Sequence, residues 1–403
     1  MTHILRRHNI IRSDVVLKTV LLLLLLLSFY GLAIFPLTQT NWDFVLFPLL
    51  LVFTLPFINL KSFNSKLIIT YVLLVCLSCL YSYYYNHQAI HLVTIHSYKY
   101  FALLFFFYLV HTRATAEEAE RILIVISVVC CTCYILQWLI YPTVLFTGAA
   151  EESKASLEHY RVRIPGSISC YCLFLYGINK YITKKRIGDL LYSVLGGIPI
   201  LIMGFRTLSA LSVILVFLMI PFITRQVRKS LKYLILAVII GYGALQTDLV
   251  KSKVEEMVKR QESGQNFDNE NYIRYNEFNF YWNEYFTKPG EKFFGGGAPV
   301  DMSTNYRKDI YYNNYAFSDL GLVGLGLIIG FPAVLLLVLC YVKCIWRFKE
   351  PKFQYLRFTL LIVLLGSLFT TSELYRTGNI LLFSLFVYVE YINSRRNSPV
   401  LKK

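Results

Sequence analysis

Twelve apolar stretches of about membrane-spanning length divide this chain: residues 16–35, 43–60, 67–85, 90–110, 122–141, 164–179, 189–205, 207–223, 231–247, 316–342, 354–371 and 376–392. A spanning helix needs about 20 apolar residues, range ~17–25. Lipid offers no hydrogen bonds, so the backbone must satisfy itself within helices or a closed barrel. Runs of this length predict helices, hence an all-α integral membrane protein with about 12 transmembrane helices. Composition agrees: 56% of residues are hydrophobic and 16% charged, against about 25% charged in soluble domains. The N-terminal "RRHNIIRSDVVLKTVLLLLLLLSFYGLAIF" reads as the first span. Its apolar run exceeds the ~7–15 residues of a signal-peptide core.

The connecting loops fall into two sets that alternate along the chain. "RRHNIIR", "KSFNSK", "HTRATAEEAER", "NKYITKKRIGD", "TRQVRKSLK", "KCIWRFKEPK" and the terminal "SRRNSPVLKK" are basic. "PLTQTNW", "YNHQ", residues 142–163, "GFRT", residues 248–315 and "TSELYR" are poor in Lys and Arg for their length. Excess Lys and Arg mark cytoplasmic loops. Both termini are therefore expected in the cytoplasm. The expected organisation is helices 1–9 over residues 1–247, one large, partly helical extracytoplasmic loop over 248–315, and helices 10–12 with a cytoplasmic tail over 316–403. The net charge of +16 is spread over these loops and forms no continuous stripe for nucleic acid.

Two cations stand inside apolar runs. Arg206 is the sole charge in "LYSVLGGIPILIMGFRTLSALSVILVFLMIPF". A charge at bilayer depth costs at least ~2.5–3.5 kcal/mol. Because "KKR" and "TRQVRK" flank this stretch on one side of the membrane, the chain between them forms a hairpin of two short arms tipped by "GFRT". Arg206 is expected at headgroup depth on the outer face, binding a ligand or only snorkelling to lipid phosphate. Lys99 lies near the middle of the fourth span, one turn from His96. It is either a functional group or half of a structural ion pair.

In the long loop, "DNENYIRYNEFNFYWNEYF" opens on Asp268 or Asn269 as a helix cap, and "KPGEKFFGGGAP" closes it with Pro289 and Gly290. Tyr272, Tyr275, Trp282 and Tyr285 or Phe286 recur at roughly helical spacing. That aromatic face either packs on the span ends or stacks against sugar rings. Further outer cations are Arg161 and Arg163 in "HYRVRIPG", Arg274, and Arg376 in "TTSELYRTG". Guanidinium forks suit phosphate or pyrophosphate. Glu373, Asp319, Glu277 and Asp309 are the candidate bases, and Glu373 lies three residues before Arg376. There is no P-loop, H-E-x-x-H, G-x-S-x-G or D-x-D motif, so no cofactor and a metal-independent reaction are expected. The nine cysteines sit in or beside apolar runs and read as small buried hydrophobes.

This layout resembles the O-antigen polymerase and O-antigen ligase superfamily. The local likenesses are "GFRTLSALSVIL", "NYIRYNEFNFYWNEYFTKPGEKFFGGGAP" and "NNYAFSDLGLVGLGLIIGF". The resemblance implies glycan transfer on the outer face of a bacterial cytoplasmic membrane, from a polyprenyl-pyrophosphate-linked oligosaccharide to a lipid-linked repeat unit. It matches Arg206 and Arg274 to pyrophosphate-binding arginines and leaves the base unassigned, with Glu373 the candidate taken as catalytic beside them. Arg161, Arg163, Arg376, Tyr275, Trp282, Asn314 and Lys99 are then expected to hold substrate. A flippase and a chain-length regulator would be partners. Ligases of the family commonly carry His-Asn at the entry to the tenth span. Here that segment reads "YYNNYAFSDLG", with Asn313 and Asn314 and no His, which favours a polymerase. The alternatives are a ligase, a lipid-linked oligosaccharide flippase or transporter, and a multi-pass acyltransferase. The last needs a catalytic His, and His87, His91 and His96 offer no such setting.

Overall fold

The computed structural model describes residues 39–140, 143, 145, 146, 166–204, 206–225, 235, 273–286, 288–300, 317–368, 374 and 378–396. Among them the regular structure is entirely helical. We number α1 Gln39–Thr54, α2 Phe63–Asn86, α3 Ile90–His96, α4 Tyr98–Thr112, α5 Ala116–Leu139, α6 Ile168–Lys184, α7 Leu190–Met203, α8 Arg206–Thr224, α9 Ile273–Asn279, α10 Pro289–Phe294, α11 Gly321–Ile329, α12 Phe331–Arg347, α13 Gln354–Gly366 and α14 Asn379–Arg396. The first predicted span and, apart from Ile235, the ninth lie outside the described residues. Each of the other predicted segments holds helix.

Local chemistry sets several boundaries. The Ser62 hydroxyl accepts from the Ser65 N–H at 3.0 Å and opens α2. Thr115 and Glu118 form a reciprocal cap on α5, at 3.2 and 2.7 Å, which satisfies amides that the first turn cannot. The predicted fourth span is not one rod: α3 and α4 meet at Ser97 with a bend of 54°. The tenth is also broken. Gly330, at φ +88°, separates α11 from α12, and Pro332 in the first turn of α12 fits a helix start.

By length and composition, α2, α5 and residues 207–224 of α8 can each cross a bilayer, as can α3 and α4 if the bent pair is one span. Their outward faces are apolar. Leu73, Leu77, Leu80 and Tyr84 are exposed along α2, and Val125, Val129, Leu136 and Leu139 along α5. Stripes of this kind suit lipid rather than water. Together they describe a helical protein of membrane type.

The packing is closest between α6 and α7. A Cβ on Gly196 would meet the Phe174 amide nitrogen and the Cys170 carbonyl, and one on Gly177 would meet the Ser193 backbone. Glycines here let two backbones touch, the usual means of association where lipid supplies no hydrophobic drive. The predicted hairpin is present as α7 and α8 with Gly204 left-handed at the turn, φ +66°. Its arms diverge: α7 packs mainly on α6 and α5, whereas α8 packs mainly on α13 and α6.

One end of the bundle gathers the basic loops. Lys343 binds the Asn64 side chain, Asn64 donates to Glu390 at 2.8 Å, and Lys343 lies 3.4 Å from that buried carboxylate. The Ser394 hydroxyl binds Glu390 at 2.6 Å. This joins the start of α2 to the ends of α12 and α14. Lys180 pairs with Glu120 at 2.9 Å, Asn179 donates to the Lys352 carbonyl at 3.0 Å, and Tyr388 donates to the Ala114 carbonyl at 2.7 Å. The described parts of "KSFNSK", "HTRATAEEAER", "NKYITKKRIGD" and "KCIWRFKEPK" therefore share this end.

Candidate functional site

At the opposite end, several helices stop at one common level. The Cys130 thiol donates to the Gly166 carbonyl at 3.6 Å, so α6 begins beside Cys130. From there α5 runs nine further residues to Leu139, about 14 Å of helix. Asn379 clasps the start of α6. Its carbonyl oxygen accepts from the Ile168 N–H and its amide donates to the Ser167 hydroxyl, each at 3.2 Å. Thus α14 begins where α6 does. Gly366, the end of α13, touches Leu208 in the first turn of α8. On the far side Ser78 donates to the Ile328 carbonyl at 2.6 Å, and α2 continues eight residues beyond to Asn86. The result is a floor of helix ends below the projecting ends of α2 and α5.

Three of those ends are N-termini, those of α6, α8 and α14. An N-terminus carries about +0.5 charge and unsatisfied N–H groups, so this floor favours an anion. Each of the three is bound to arginine in sequence. Arg163 stands five residues before Ile168, Arg376 three before Asn379, and Arg206 is the first residue of α8. Glycines at φ +85°, Gly166 and Gly378, set the turns into α6 and α14.

Lys99 joins the same floor. It borders a small cavity with Leu50, Tyr98, Ala102, Gly378 and Leu381, and its ammonium lies 5.3 Å from the Tyr100 ring centre. Within the fourth predicted span, Lys99 follows the break at Ser97 and borders the first turn of α14.

The segment with Arg274 is tied to the floor through aromatic packing. Beyond α9 the helix widens into a π-turn over Phe280–Tyr285. Tyr281 stacks on Phe317 at 4.1 Å, and Phe317–Leu320 leads into α11, where the Leu322 N–H donates to the Ser367 carbonyl at 2.8 Å. The π-turn changes the expected aromatic face. The buried side chains are Glu277, Tyr281 and Phe286, whereas Tyr275 is 61% exposed. Trp282 stacks with Phe278 at 5.8 Å, meets Phe331 edge-on at 5.7 Å and lies under the Lys292 ammonium at 4.6 Å. Pro289 does not simply end the aromatic helix. It opens α10, whose Glu291 carboxylate accepts from the Lys288 N–H at 3.1 Å.

The glycine run after α10 fastens this segment to the break in the tenth span. Gly296 and Gly297 donate to the Leu327 and Ile328 carbonyls at 2.7 and 3.0 Å, and Asn86 donates to the Gly296 carbonyl at 3.0 Å. A Cβ on Gly295 would collide with the Ile328 carbonyl and the Gly330 nitrogen. Backbone contact this close requires glycine.

Of the predicted site residues, Arg161, Arg163, Asn314, Glu373 and Arg376 lie outside the described residues, as does Asp309. For Arg206, Arg274 and Asp319 the backbone is described and the side chain is not. What the structure brings together is the starts of α6, α8 and α14, beside which Arg163, Arg206 and Arg376 stand in sequence. It adds Asn379 and Ser167, which sequence reasoning missed. Their signal was present in "IPGSIS" and "RTGNI", where a small polar residue follows Gly at the start of an apolar run; in the structure Ser167 makes no side-chain cap, and Asn379 bonds the start of α6. Comparison with protein-family models and with curated proteins finds no match to this chain.

Proposed function

We propose that this chain is a polysaccharide polymerase: it transfers a growing glycan from polyprenyl pyrophosphate to a lipid-linked repeat unit on the outer face of a bacterial cytoplasmic membrane. The observation that carries the reading is the convergence of the α6, α8 and α14 N-termini, with their arginine-bearing approaches, at the end opposite the basic loops. Under the positive-inside rule the basic end is cytoplasmic and the floor faces outward. The reading keeps about 12 spans, both termini inside and the large loop over 248–315 outside.

In this reaction the acceptor hydroxyl attacks the anomeric carbon of the donor sugar. The bond from that carbon to the pyrophosphate oxygen breaks, and the carrier leaves as polyprenyl pyrophosphate. Arg206 and Arg274 neutralise charge growing on the leaving group, the term that most often dominates such barriers. Glu373 takes the hydroxyl proton. Arg161, Arg163, Arg376 and Lys99 hold the diphosphate. Tyr275, Trp282 and Asn314 meet the sugars. A flippase would deliver the substrate, and a chain-length regulator would set the number of repeats.

One observation favours a second reading. The bent α3–α4 pair with its adjacent Lys99 is a feature that transporters use at substrate sites, so a lipid-linked oligosaccharide flippase is the rival. Purified full-length chain in liposomes, given a polyprenyl-pyrophosphate repeat unit, separates them. A polymerase yields a ladder of lengthened glycans on a gel. A flippase moves the substrate between leaflets and leaves its length unchanged. A ligase yields transfer to a lipid A core or protein acceptor without a ladder.

A further inference from the structure

The basic end holds a second cationic site that the glycan reaction does not use. It lies where α8, α12 and α13 meet, and is lined by Pro221, Phe222, Arg225, Trp346, Lys349 and Arg357. Three of these six side chains are cations and none is an acid. Arg357 is stacked on the Phe222 ring, with its guanidinium carbon 4.8 Å from the ring centre. Its Nε is buried and makes no hydrogen bond. Glu350, the sole acid of the α12–α13 loop, is turned to Lys352 at 3.2 Å. Among the described residues, no carboxylate forms an ion pair with Arg225, Lys349 or Arg357. A cation cluster without a counter-charge, with a buried donor unmet, is incomplete as it stands.

The flanking surface states what completes it. Ile214, Leu218 and Phe222 form an exposed ridge down α8, at four-residue spacing. Leu335, Leu339, Val342 and Trp346 form another down α12. Between them α13 presents Leu365, half-buried Leu361 and then Arg357 on one face. These helices pack side by side, α13 against both others. The two apolar ridges thus border a strip that ends in the cations. A free anion would have no use for the ridges, and an apolar peptide none for the charges.

We propose that this groove is a binding site for an anionic phospholipid, its phosphodiester held by Arg225, Lys349 and Arg357 and its acyl chains laid along α8, α12 and α13. Trp346, 67% exposed, takes the interfacial position usual for that residue. Anionic lipids concentrate on the cytoplasmic leaflet, which is where the positive-inside reading puts this end. The site depends on membrane residence and not on the glycan chemistry.

The test uses the full chain in detergent, titrated separately with phosphatidylglycerol, phosphatidylcholine and inorganic phosphate, reading the thermal midpoint and lipid retention by native mass spectrometry. Phosphatidylglycerol is expected to raise the midpoint and stay bound, and the other two to do neither. Removing both exposed cations in an R225Q/K349Q variant is expected to weaken phosphatidylglycerol binding about 30-fold, from ~1 kcal/mol per basic side chain. R357Q is the second variant, expected to lose binding while R357K retains part of it. Equal stabilisation by phosphatidylcholine, equal stabilisation by inorganic phosphate, or unchanged affinity in R225Q/K349Q overturns the proposal.

Discussion

At the scale of single residues, Asn379 does the most for the site floor. One side chain holds the first amide of α6 and the Ser167 hydroxyl. Replacing it with alanine removes both of these buried hydrogen bonds. The Asn379→Ala variant should lose about 1–2 kcal/mol of stability, read as a lower thermal midpoint in detergent. Asn379→Ser, which keeps a polar group, should recover part of it. Glu390 makes the matching case at the basic end, where it is the common acceptor for Asn64, Lys343 and Ser394. Glu390→Gln should cost stability without altering glycan length. Glu373→Gln should do the reverse: a rate lower by roughly 10²–10⁴ at unchanged thermal midpoint. A large fall in midpoint with Glu373→Gln would move that residue from chemistry to structure.

At the scale of elements, the helical character of the apolar runs was legible in the sequence, and the lengths and interruptions of the helices were not: among the described residues three helices, or four with the bent α3–α4 pair, are long and apolar enough to cross a bilayer. Caps such as Ser62, Thr115 and Glu118 carry a signal, a side-chain oxygen next to an apolar run, but the sequence reading did not use it. Ser97 within the fourth run has no such signature, since a serine in a span can equally donate to its own helix. Gly330 before Phe331–Pro332 was readable as a stop. It was absorbed into one long span because hydropathy does not change across it. The π-turn at Phe280–Tyr285 defeated the aromatic spacing for the same kind of reason: one extra residue per turn rotates every later side chain to another face. The close α6–α7 contact rests on Gly177 and Gly196, whose added Cβ atoms would strike backbone. Gly196→Leu should therefore sharply lower folded yield on size-exclusion chromatography. At Gly188, which has open space around a Cβ, Gly188→Ala should be tolerated. Equal yields from both variants would remove the backbone-contact argument.

At the scale of the whole molecule, two ends of opposite character carry the account. One collects basic loops around Glu390 and Glu120, and the other collects helix N-termini preceded by arginine. Loop charge in the sequence gives the expectation that the arginines share one side. That the N-termini of α6, α8 and α14 share a floor below the ends of α2 and α5 required the structure, because it arises from contacts between residues about 200 positions apart, such as Ile168 with Asn379. Side-specific labelling tests the polarity. In intact cells a membrane-impermeant thiol reagent should modify a cysteine placed at Lys292 and spare one placed at Lys185, in a background without the native cysteines. The most direct test of the central claim is chain extension by the reconstituted protein on a polyprenyl-pyrophosphate repeat unit, comparing native chain with Arg206→Ala. The account predicts a glycan ladder from the native chain and a rate lower by roughly 10²–10³ in the variant. A ladder formed equally well without the Arg206 guanidinium would contradict it.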